Sequence, residues 1–137
     1  MCLSVRHPLW LAPTGSGGTG VAPTPQARLE DADSAACCTC SSRTTGSLTV
    51  FDAKTGAQHY GLQRLEAAPN VFASPVGADG RVYITGRDGA TVVLRHGPKS
   101  EVLATNTLDN GFDSSAALVN GEISLQGYRY LYCIAEG

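Results

Sequence analysis

The sequence predicts an all-β chain of repeated sheet modules, and three observations predict it. The first is self-similarity. Residues 73–83 (ASPVGADGRVY) align with 114–124 (SSAALVNGEIS) at an offset of 41, and residues 46–51 (GSLTVF) lie over 89–94 (GATVVL) at an offset of 43. The second is turn chemistry at regular intervals, with Asp79-Gly80, Asp88-Gly89 and Asn120-Gly121 each flanked by β-branched or aromatic runs. The third is composition. The 137 residues include 16 Gly and 7 Pro, and only 16% are charged, so corner formers replace the charges of an ordinary soluble domain. A strand-filled period of about forty residues is the signature of β-propeller blades. The expected fold is a partial β-propeller, about two blades of four-stranded antiparallel sheet, with a poorly structured N-terminal segment.

Residues 1–46 hold four of the seven prolines and four of the five cysteines. Between Gln26 and Ser47 the only large apolar residue is Leu29. Such a stretch buries too little surface to offset its ordering entropy, so it reads as coil. A disordered lead-in and a misframed segment both account for this composition.

From Ser47 the pattern changes. A half blade is expected over 47–64: residues 48–51 as a strand, Asp52-Ala53-Lys54-Thr55-Gly56 as a turn, and 58–64 returning. Pro69 bars regular pairing in the loop over 65–70. A full blade spans 73–106, with strands over 73–78, 81–85, 91–95 and 101–105. Val92-Val93-Leu94 reads as a strand packed on both faces, whereas 101–105 alternates as a half-exposed outer strand does. An incomplete blade spans 114–137, with strands over 116–119, 123–126 and 130–135 and the chain ending before a fourth. The frequency of glycine and of β-branched residues excludes a helical reading.

The bulk numbers exclude some functions. A formal charge of −2 gives no electrostatic case for nucleic acid or an anionic membrane. No apolar run approaches the roughly 18 residues of a membrane span. Residues 9–12 (LWLA) are shorter than the apolar core of about 7–15 residues that a signal peptide needs, so none is expected in the chain as given. The five cysteines, at 2, 37, 38, 40 and 133, describe no disulfide framework.

The stretch Leu48-Thr49-Val50-Phe51-Asp52-Ala53-Lys54-Thr55-Gly56 resembles the repeat motif of the PQQ-like (quinoprotein-type) β-propellers, in which Asp-Ala-x-Thr-Gly closes a strand and Trp follows four residues after the Gly. Tyr60 takes the Trp position. Ser74-Pro75 followed by Asp79-Gly80 is similar to the opening of the same repeat, and residues 130–136 (YLYCIAE) are similar to its closing strand. The resemblance covers 47–137 and implies a piece of a seven- or eight-bladed propeller. It implies a periplasmic or otherwise extracytoplasmic, non-catalytic scaffold similar to the propeller lipoproteins of outer-membrane assembly, partnered by proteins or by missing blades. Unpaired edges would favour self-association. The alternative it implies is a remnant of a PQQ- and calcium-dependent alcohol dehydrogenase.

The repeat-signature residues are therefore Asp52, Thr55, Gly56, Tyr60, Ser74, Pro75, Asp79, Gly80, Asp88, Gly89, Asn120 and Gly121, all structural in role. No catalytic, cofactor-binding or metal-ligating residue is assigned. Cys37-Cys38 invites comparison with the adjacent-cysteine disulfide of quinoprotein dehydrogenases, but its surrounding strand context is missing. As a zinc site, 37–40 lacks a second Cys/His pair. His7, His59 and His96 lack a nucleophile and an Asp in recognisable order, and His96, before Gly97-Pro98, is expected to be exposed. Asp109-Asn110-Gly111-Phe112-Asp113 alternates oxygen ligands but lacks the terminal bidentate Glu of a calcium loop, and reads as an inter-blade connection. Tyr128, Tyr130 and Tyr132 read as packing between blades.

Overall fold

The computed structural model describes residues 2–6, 37–41, 46–52 and 54–135, the first two segments by their backbone pairing. They form eleven strands in three sheets: β1 (Cys2–Arg6), β2 (Cys37–Ser41), β3 (Ser47–Asp52), β4 (Gln58–Arg64), β5 (Val76–Ala78), β6 (Arg81–Thr85), β7 (Ala90–Arg95), β8 (Val102–Thr107), β9 (Ala117–Val119), β10 (Glu122–Gln126) and β11 (Leu131–Ala135). The first sheet has the order β2-β3-β4, the second β5-β6-β7-β8, and the third β9-β10-β11-β1. Within each sheet, strands consecutive in sequence pair antiparallel. The described residues contain no helix, so they form the all-β, partial propeller that the repeat predicts.

The hairpins follow from residues that tolerate left-handed backbone. Asp79 and Gly80, at φ 49° and 66°, join β5 to β6. Asn120 and Gly121, at φ 51° and 76°, join β9 to β10 one repeat later. Positive φ at both central residues gives the primed turns whose twist matches that of the flanking strands. At Gly89 (φ 92°) a side chain would also collide with the carbonyls of Leu108 and Asn110, so only glycine fits there.

Packing explains why the modules stack. Every residue of β6 and the first five of β7 are buried. Alternation sends them to opposite sides. Val82 and Leu94 are paired across the ladder, as are Ile84 and Val92. These four join Leu48, Val50, Leu65, Ala68 and Val71 in one core, between the first and second sheets. Tyr83 and Val93, paired on the other face, join Phe112, Ile123, Leu125, Tyr132 and Ile134 in a second core, between the second and third sheets. Each buried aliphatic side chain contributes about 1.5–3 kcal/mol by leaving water, so the two cores are the main force holding the blades face to face.

The hydrogen bonds repeat with the sequence. Leu65 N–H donates to Gly46 O at 2.8 Å, and Leu108 N–H to Gly89 O at 3.0 Å, both partners advancing by 43 residues. Arg87 N–H donates to Asn70 O at 2.8 Å and Tyr128 N–H to Gly111 O at 3.1 Å, both advancing by 41. The two offsets read from the sequence are thus spacings between equivalent contacts.

Three features differ from expectation. The first sheet has a third strand, because residues 37–41 pair with β3, with Thr39 opposite Val50. The fourth place in the third sheet is filled by β1, which runs parallel to β11 with Leu3 opposite Tyr132. Both strands lie where the sequence reads as coil. A partner strand supplies the pairing that local composition does not advertise. The rest of the 1–46 lead-in, Gly46 apart, lies outside the described residues. Finally, β5 is only three residues long, since Ala73, Ser74 and Pro75 belong to the connection before it.

Truncating Leu125, which is fully buried in the second core, is expected to cost about 2–5 kcal/mol. Truncating Val102, exposed on β8, is expected to cost within about 0.5 kcal/mol. Denaturant titration of Leu125→Ala and Val102→Ala checks both.

Candidate functional site

The connections β6–β7, β8–β9 and β10–β11, together with residues 65–75, meet at one end of the stack. There the described surface brings together an aromatic ring, a guanidinium, a carboxylate and a phenol. Arg87 lies in the β6–β7 turn, Asp113 in the crossing loop before β9, and Tyr128 in the β10–β11 turn. Arg87 Nε is 2.7 Å from Asp113 Oδ1, and its Nη2 donates to Tyr128 Oη at 3.0 Å. The Tyr128 hydroxyl in turn donates to Asp113 Oδ2 at 2.7 Å. Behind them, the Arg87 guanidinium carbon stands 4.5 Å from the centroid of the Phe72 ring. The Tyr128 hydroxyl and the Asp113 charge raise the pKa of Arg87 above its ordinary value, so it is cationic at every relevant pH.

This cluster links two blades through repeat-equivalent positions. Arg87 and Tyr128 are 41 residues apart, the period of the repeat. Ser74 N–H also donates to Ser115 Oγ at 2.9 Å, again across 41 residues. Ser114 Oγ closes the same end by donating to Gln126 O at 2.6 Å. Arg87 and Asp113 each keep 43% of their side-chain surface in solvent, so the ion pair is a positioning contact rather than a large source of stability. Phe72 is 44% and Tyr128 61% exposed, which leaves aromatic surface available at a spot whose geometry is already fixed.

The repeat-signature residues lie in three places. Asp52 ends β3, and its Oδ1 accepts from Lys54 N–H at 2.8 Å and Thr55 N–H at 2.9 Å. Gly56, at φ 71°, donates to Asp52 O at 2.8 Å. The amides of Thr55 and Lys54 hold the Asp52 carboxyl below its usual range by stabilising the anion. Its folded-state pKa is depressed, so the contribution is present above the unfolded pKa and disappears as pH falls through the folded one. Tyr60 packs half-buried against the first core. Ser74 and Pro75 lie in the connection before β5, Ser74 held by its bond to Ser115, while Asp79-Gly80 and Asn120-Gly121 turn at the hairpins described above. Asp88 and Gly89 lie in the Arg87 turn, where Gly89 N–H donates to Gly86 O at 3.2 Å.

The other candidates divide similarly. Asp113 of the 109–113 loop is engaged by Arg87 and Tyr128, and the described residues contain no group of three or more His, Cys, Asp or Glu able to hold a metal ion. Tyr132 is buried and packs on Phe112 at 5.7 Å between centroids, with Tyr130 edge-on to it at 6.2 Å. Tyr128, by contrast, faces solvent in the loop cluster. His96 is half-buried rather than exposed, because it lines a small crevice with Leu48, Val50 and Tyr60 of the first sheet and Val82 and Leu94 of the second. Its Nε2 is buried without a hydrogen-bond partner. His59 lies on β4 with Nε2 3.7 Å from Asp52 Oδ2. His7 lies outside the described residues. So do the side chains of Cys37, Cys38 and Cys40.

No family model and no curated protein matches the chain. Among solved structures it is similar to BamB from Moraxella catarrhalis, with a TM-score of 0.57 and 16% sequence identity over 69% of this chain. The match spans 27% of the length of that structure. At this identity the likeness is one of fold.

The coupling of Arg87 to Asp113 is expected to be small, because both side chains are solvent-exposed and screened. A double-mutant cycle with Arg87→Ala and Asp113→Ala, read by denaturant unfolding, measures it.

Proposed function

We propose that the chain is a non-catalytic β-propeller module that binds protein through the loop end carrying Phe72, Arg87, Asp113 and Tyr128, and that it works as part of a larger propeller. The observation that carries this reading is the exposed aromatic and arginine surface held in place by contacts between blades. Tyr, Trp and Arg are enriched at interface hot spots, aromatic rings because they offer large contact area with few rotatable bonds and Arg because its planar guanidinium makes several directed contacts. Here the Arg87–Tyr128–Asp113 contacts fix that surface before a partner arrives, which reduces the ordering penalty of binding.

The match to 27% of a longer propeller structure supports a larger assembly. The PQQ-like signature around Asp52 and Tyr60 supports an extracytoplasmic setting, with residues 47–137 as the main propeller portion and the 1–46 lead-in contributing the strands β1 and β2 to its sheets. No helix among the described residues is long and apolar enough to cross a membrane.

The test is site-specific photocrosslinking in cells expressing the full chain, with p-benzoyl-phenylalanine at position 72 or at the control position 102. Discrete protein adducts are expected from position 72, and Arg87→Glu is expected to abolish them. Equal labelling from position 102, or none from position 72, contradicts the reading.

A further inference from the structure

We infer that the partner bound at the loop end presents an extended, proline-rich segment in the polyproline II conformation, seated on the rings of Phe72, Tyr128 and Tyr130 with a backbone carbonyl on the Arg87 guanidinium. This rests on the reading of that end as a protein-binding surface, and names the chemistry of the partner. Phe72, Tyr128 and Tyr130 are the exposed aromatic rings among the described residues, and all three lie in connections at this end. Each ring is held by a neighbour. The Arg87 guanidinium covers Phe72, Tyr130 stands edge-on to buried Tyr132, and the Tyr128 ring lies against Gly111, where a Cβ would collide with it. The end of the stack is therefore a set of fixed aromatic surfaces around one guanidinium.

The hydrogen-bonding capacity left over decides what covers these rings. The Tyr128 hydroxyl is fully engaged, since it donates to Asp113 Oδ2 and accepts from Arg87 Nε and Nη2. Both Asp113 oxygens are taken as well, one by Arg87 Nε and the other by Arg87 Nη2 and the phenol. Arg87 Nη1 makes no hydrogen bond to a described residue, so the open polar group of the cluster is a donor. The charges also cancel, one guanidinium against one carboxylate 2.7 Å away. The complement is an uncharged segment with apolar rings and free carbonyls. Proline supplies both and has no N–H that would need a partner. In polyproline II its carbonyls make no internal hydrogen bonds, and aromatic-lined surfaces take such preformed segments at little ordering cost. Other segments fit worse. An acidic one meets a guanidinium whose charge Asp113 already satisfies. An amphipathic helix needs a continuous apolar groove, and strand addition needs an open sheet edge, whereas this surface is built from connections and interrupted by an ion pair.

The test is an amide-resolved NMR titration of the full chain with octaproline, octaglutamate and a glycine–serine peptide of equal length. Octaproline is expected to give saturable shifts confined to the amides around Phe72, Arg87 and Tyr128, and the other two peptides are not. Tyr128→Ala and Phe72→Ala, in separate connections, are each expected to weaken octaproline binding about tenfold or more, the loss of one aromatic anchor. The dispersion of the same spectra reports whether each variant is folded. No saturable shift, shifts elsewhere on the chain, unchanged affinity in the folded variants, or octaglutamate binding as tightly as octaproline overturns the inference. Sequencing of the partner peptide crosslinked from position 72 separates this claim from the binding role. An adduct in a segment without proline overturns the inference and leaves the binding role standing. Absence of adducts removes the binding role, while the titration still decides what chemistry the surface takes.

Discussion

The structure depends on the sandwiching of one sheet between two others. Strands β6 and β7 bury alternate residues in opposite directions, so Ile84 and Val93 belong to different cores although their strands are neighbours. A sheet with two apolar faces cannot be stable as a free surface, and each face needs a neighbour of matching shape. The stack is therefore a consequence of the β6 and β7 sequences, and the polar contacts between loops set its register. Repeat proteins of this kind gain stability from nearest-neighbour interfaces more than from any single module.

The loop end inherits its geometry from the stack. Phe112 is fully buried in the second core, which fixes the crossing loop beside it and hence Asp113. Gly127 tolerates the close approach of Phe112 and Asn110 because it has no side chain. With the backbone on both sides fixed, Arg87 and Tyr128 meet across the blade boundary at each other's repeat position. A binding surface made this way needs little reorganisation, and the residues that shape it are packing residues rather than chemical ones.

Much of the fold was legible because its determinants are local. Asp79-Gly80 and Asn120-Gly121 announce hairpins through their conformational preferences, and the Val92-Val93-Leu94 run announces a strand with two covered faces. The strands at Cys2–Arg6 and Cys37–Ser41 were not legible, since they have little strand propensity and exist by pairing with β11 and β3. The burial of His96 depends on the approach of the first sheet, which no local pattern encodes. For the candidate site, the individual residues were ordinary, and Tyr128 read as packing. The available signal was the offset itself: placing the repeats in register sets Arg87 over Tyr128 and Ser74 over Ser115, and those are the residues that touch.

The most direct measurement is a methyl-resolved NMR nuclear Overhauser spectrum of the full chain. The Ile84 methyls should connect to the Leu48, Val50, Leu65 and Val71 set, and the Val93 methyls to the Ile123, Leu125 and Ile134 set, with no crossing between them. If Ile84 and Val93 share one set of neighbours, the middle sheet has a single covered face and the stacked arrangement is wrong.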